Sequence, residues 1–116
     1  MAIVSSHTLD SVDGSHAGGI AVRLVRLDTG LTVFETNMDE GGRLVQEVAT
    51  PDPAATYEMI FQAGAYWQDQ APTTRDTRII DEIVIRFTMP DPEGRYHVPL
   101  ILSPHGYSLW CSGKDG

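Results

Sequence analysis

The feature that most constrains this chain is an apolar period of two. Ile20, Val22 and Leu24 alternate with Ala21 and Arg23, while Tyr57, Met59, Phe61 and Ala63 alternate with Glu58, Ile60 and Gln62. Ile83, Ile85, Phe87 and Met89 keep the same spacing, as do Tyr96, Val98, Leu100 and Leu102. Successive side chains of a strand point to opposite faces, so this pattern predicts half-buried strands with one face on a core. Turn residues punctuate it at 10–14 (Asp-Ser-Val-Asp-Gly), 28–30 (Asp-Thr-Gly), 39–42 (Asp-Glu-Gly-Gly), the Pro51 and Pro53 loop, and 91–94 (Asp-Pro-Glu-Gly). The pattern predicts strands over 2–9, 19–27, 31–36, 43–48, 57–63, 83–89, 96–102 and 107–111. Residues 64–70 are the one plausible helix, and 71–78 are polar and expected as loop. Pro99 lacks an N–H for a ladder, which predicts an edge position or a bulge. Seven or eight short strands without βαβ spacing point to an all-β fold, a two-sheet antiparallel β-sandwich with one short helix. No repeat or linker divides residues 1–116, and 116 residues suit a single domain.

Charge narrows the partners. Sixteen acidic against eight basic residues leave a net charge of −8, which repels phosphate backbones and anionic lipid, so no nucleic-acid or membrane partner is expected. No apolar run approaches the ~20 residues of a spanning helix. Residues 1–5 lack the basic start and apolar stretch of a signal peptide, giving a cytoplasmic expectation. The single Cys111 excludes an internal disulfide. Structural zinc sites usually add cysteines or closely spaced histidines, and neither occurs, so no metal is expected.

Three segments carry a family likeness. Ser6-His7-Thr8-Leu9-Asp10 leads through Gly14 to Ala17-Gly18 and Val22-Arg23-Leu24. Gly42-Arg43 follows an acidic turn, and Phe61 leads to Gly64-Ala65-Tyr66-Trp67. Tyr96-His97-Val98-Pro99-Leu100-Ile101-Leu102-Ser103 precedes Gly106-Tyr107-Ser108. From about Ile3 to Ser108 the chain resembles the transthyretin-like family, specifically its enzymatic branch, the 5-hydroxyisourate hydrolases. The resemblance implies a two-sheet sandwich assembled as a homotetramer, with sites in a channel lined by two chains. It implies that Ser5, Ser6, His7 and Ser108 face that channel. It places His7, Arg43, His97 and Ser108 at the family's catalytic positions, with Arg43 also binding a small-molecule substrate. Enzymatic members end in Tyr-Arg-Gly-Ser. Here residues 110–113 are Trp-Cys-Ser-Gly, followed by Lys114, Asp115 and Gly116, which makes Trp110 and Cys111 the substrate-binding candidates at that end. Lys114 offers a positive charge from a position near that of the family's arginine.

The chemistry fits those residue types. Opening a cyclic amide with water needs a base near neutral pKa, a cation or donors for the developing oxyanion, and an acid for the leaving nitrogen. Two histidines suit the proton transfers and Arg43 the carbonyl, while Ser108 can orient water. No cofactor or metal is required. Each residue also has a plainer reading. His7 alone is an ordinary strand histidine, His97 a histidine beside a bulge, Arg43 a solvated cation after a turn, and Ser108 an edge hydroxyl. His16 and His105 read as solvated loop residues, Cys111 as a small partly buried hydrophobe, and Tyr66-Trp67 as helix-docking core. Three functions stay open: a hydrolase of 5-hydroxyisourate or a modified relative, a repurposed enzyme for another ring opening or closure, and a non-catalytic small-molecule-binding protein.

Overall fold

The computed structural model describes residues 1–70 and 78–112; the expected loop at 71–77 and the terminus from Gly113, with Lys114, lie outside the described residues. Among the described residues, eight strands and one helix follow in chain order: β1 (Ala2–Asp10), β2 (Ala21–Arg26), β3 (Thr32–Asn37), β4 (Arg43–Val48), β5 (Tyr57–Phe61), α1 (Ala63–Gln70), β6 (Ile83–Phe87), β7 (Arg95–Ser103) and β8 (Gly106–Leu109). They form two four-stranded sheets, ordered β4-β1-β7-β8 and β3-β2-β5-β6. The sandwich and its short helix match the sequence expectation. One pair departs from the antiparallel rule. β1 runs parallel to β7, with Ile3 opposite Arg95 and Asp10 opposite Leu102.

Alternation sorts the side chains. Val4, Val98, Leu100 and Leu102 from one sheet meet Val22, Leu24, Met59, Phe61 and Ile83 from the other, all buried. Each such side chain contributes roughly 1.5–3 kcal/mol of apolar burial. Trp67 of α1 is also buried, and Tyr66 packs edge-on against it with ring centroids 5.0 Å apart. The Tyr66 hydroxyl donates to Asp10 Oδ2 at 2.7 Å, so the helix is fastened to the end of β1.

Pro99 corrects its expectation. β7 is an interior strand, between β1 and β8. The Pro99 carbonyl accepts from the Trp110 N–H at 3.2 Å, so its nitrogen faces the same side, just past Leu109 where β8 ends. The missing donor therefore falls where the ladder stops. It also explains why β8 is shorter than the expected 107–111: the next pair would need the proline's N–H. Beyond it the chain stays alongside β7, with Ser112 N–H donating to the His97 carbonyl at 2.9 Å and His97 N–H donating to Ser112 Oγ at 3.1 Å.

Candidate active site

The outward face of the β4-β1-β7-β8 sheet collects the candidates. His7 on β1 stands opposite Arg43 on β4 and opposite Pro99 on β7. Ser5, one outward position earlier, stands opposite His97. Arg43 is thus directly across from His7, and His97 lies diagonally from it, one outward position away on β7. Ser108 pairs with Ile101 on the far side of β7, two strand spacings of about 4.8 Å from β1. Trp110 continues this face beside Pro99, more than half exposed. Ser6 corrects its expectation: period two turns it inward, where it is buried and donates to the Val98 carbonyl at 2.6 Å.

Local structure fixes each group. Gly42 has a φ of 72°, and its carbonyl accepts from the Thr8 N–H at 2.7 Å. Asp39 Oδ1 accepts from the Arg43 N–H at 2.9 Å. Between them, these two bonds start β4 with Arg43 beside His7. The Arg43 guanidinium forms no ion pair among the described residues, so its charge remains available. His97 Nδ1 lies 2.9 Å from Ser5 Oγ, which orients the ring and leaves Nε2 without a hydrogen bond among the described residues. Burial lowers the His7 pKa, and the charges of Arg43, His16 and His97 lower it further, against a hydrogen bond with the Gly41 backbone that raises it. His7 is therefore a neutral base at pH 7, since the usual histidine value already lies below that.

Cys111, expected as a partly buried hydrophobe, is exposed. It lines a cavity of about 360 Å³ with His97, Phe87, Pro90 and Tyr96, and desolvation there pushes its thiol pKa up, away from a reactive thiolate. His105 is exposed in the turn between β7 and β8. Among the described residues no group of three or more His, Cys, Asp or Glu is placed to hold a metal ion.

His16 is exposed in the loop after β1, as expected, and its ring packs on His7. Its Nδ1 lies 2.9 Å from His7 Nε2, and the rings stack with centroids 5.0 Å apart. The sequence signal for this contact is the turn, not residue 16 itself. A tight turn at 10–14 folds the following residues back on β1, and a bridge opposite Leu9 puts His16 on the face that Leu9 shares with His7.

The sequence model of the HIUase/Transthyretin family matches residues 4–111. The chain is 34% identical to the 5-hydroxyisourate hydrolase of Mesorhizobium japonicum, over 92% of this chain and 89% of that protein. Among solved structures, it is similar to Klebsiella pneumoniae 5-hydroxyisourate hydrolase, with a TM-score of 0.78 and 27% identity, covering 97% of this chain and 100% of that one. An (S)-allantoin synthase structure is similar with a TM-score of 0.81 and 28% identity, covering 97% of this chain; the chain spans only 44% of that protein.

Proposed function

The chain belongs to the HIUase/Transthyretin family, and from that premise we propose that it is a hydrolase that opens the cyclic amide of 5-hydroxyisourate or a modified relative. The observation that carries the reading is the adjacency of His7, Arg43 and His97 on one sheet face. Water adds to a ring carbonyl, and the adjacent C–N bond breaks. His7, neutral at pH 7, takes the water proton, and His97 delivers a proton to the leaving nitrogen. Arg43, always charged, forks onto the carbonyl oxygen where negative charge develops. Ser108 positions water from β8, and Trp110 offers a stacking surface for a planar ring. In this scheme the chain works as a cytoplasmic homotetramer whose second copy closes the face, and neither metal nor cofactor takes part. No helix among the described residues is long and apolar enough to cross a membrane.

The test generates 5-hydroxyisourate from urate with urate oxidase, adds the protein, and follows the decay of ultraviolet absorbance. Acceleration is expected, and His97→Asn should reduce it on the order of 100-fold or more, the scale of a lost acid–base group. A folded wild-type protein that leaves the decay unchanged would overturn the reading.

A further inference from the structure

We propose that His16 is a positioning residue for His7, the two imidazoles forming one hydrogen-bonded unit that fixes the His7 ring on the site face and sets the pH at which it becomes a free base. The pairing itself stands on geometry, and only its catalytic consequence rests on the hydrolase reading. The contact is built into the chain on both sides. Immediately before His16, the Ser15 carbonyl accepts from the Asp10 N–H at 2.8 Å, and immediately after it the Ala17 N–H donates to the Thr8 carbonyl at 2.9 Å. Thr8 Oγ1 adds a 2.6 Å bond to the Ala17 carbonyl. Asp13 Oδ1 holds the turn by accepting from the Ser15 N–H at 2.9 Å and Ser15 Oγ at 2.6 Å. With its flanks pinned to β1, His16 has little freedom to leave the ring it faces.

Two nitrogens 2.9 Å apart share one proton at most. A neutral His7 that gives its own proton to the Gly41 backbone keeps its lone pair at Nε2, where the His16 Nδ1–H can donate and must part before Nε2 takes the water proton. The groups facing His7 are Arg43 from β4, His97 from β7, His16 from the loop after β1, and the Gly41 backbone of the turn before β4. No Asp or Glu among the described residues forms an ion pair with either ring. Every charged or titrating neighbour therefore opposes protonation of His7, and a donated hydrogen bond from His16 does the same. Removing His16 should make His7 easier to protonate. The acid limb of activity, which needs neutral His7, then moves to higher pH.

The test is a nitrogen-15 NMR titration of the histidine rings in the full chain, for wild type, His16→Phe and His16→Asn, beside the pH profile of 5-hydroxyisourate decay. His16→Phe keeps a ring for stacking and removes the hydrogen bond. It should raise the His7 midpoint on the order of half a unit, which lowers the rate at pH 6 relative to pH 8 roughly twofold. His16→Asn keeps an amide donor near the Nδ1 position and should restore most of the wild-type midpoint. An unmoved His7 midpoint in His16→Phe, or a rate loss that is uniform with pH, would overturn the proposal. A moved midpoint in a protein that accelerates no decay would uphold the pair and sink the hydrolase reading instead.

Discussion

Gly42 shows how much of the site hangs on single backbone positions. Its φ of 72° lies in the left-handed region, and a Cβ there would stand 2.5 Å from the Thr8 carbonyl oxygen and 3.1 Å from that of Ala17. Both contacts are backbone, so neither can swing away. Gly42→Ala should cost on the order of 3 kcal/mol, combining strained dihedrals with a clash, and lower the melting temperature by roughly 10 °C. A thermal melt checks this, and an unchanged midpoint would mean that β4 can start without the close approach. Retained fold with lost activity would place the damage at Arg43, which follows directly. At this scale the site was partly legible. His7, Arg43 and His97 stood in recognisable segments, and the fold brings them onto one face. His16 was missed because its place depends on how the 10–14 turn closes, and no local pattern at residue 16 carries that information. Ser6 was misplaced although period two, applied strictly from His7, turns it inward.

The elements were legible where their signal is local and hidden where it is not. Each strand announced itself by alternation, and α1 (Ala63–Gln70) lies within one residue of its expected span. Strand order has no such signature. The parallel pairing of β1 with β7 joins residues about ninety positions apart, and alternation looks the same for either direction of a neighbour. Pro99 was misjudged for a related reason, since a missing N–H matters only if something sits opposite to accept it. α1 is too short to persist alone and holds by docking. Burial and the bond to Asp10 push the Tyr66 phenol pKa upward, so the hydroxyl stays a donor at physiological pH. Asp10 is itself buried, with its Oδ1 accepting from Val12 N–H at 2.8 Å. Tyr66→Phe removes the donor to Oδ2 and leaves that oxygen without it, which should destabilise by about 1–3 kcal/mol. Urea unfolding at constant m-value checks the size. A change within error would show that water replaces the phenol and that Trp67 alone secures the helix.

For the whole molecule the open question is what covers the site face. An active site for ring hydrolysis gains from excluding bulk water, because charges act more strongly there, yet a single chain presents His7, Arg43 and Trp110 on an open sheet. That face also carries exposed apolar side chains: Val45 is 66% exposed, Ile101 45% and Trp110 63%. Its charge runs against the rest of the chain. The net charge is −8, whereas the outward residues of β4, β1, β7 and β8 include Arg43 and Arg95 against Glu47 alone. A second copy laid on this face would bury the apolar groups without bringing the molecule's acidic surplus together, which is the condition for association of two like-charged chains. Light scattering should give a mass four times the 12.7 kDa chain. Val45→Glu puts a carboxylate on the face, opposite Ser5, and should yield smaller species by light scattering. A wild-type monomer with undiminished turnover at nanomolar concentration would show instead that one sheet face, open to water, is a complete site.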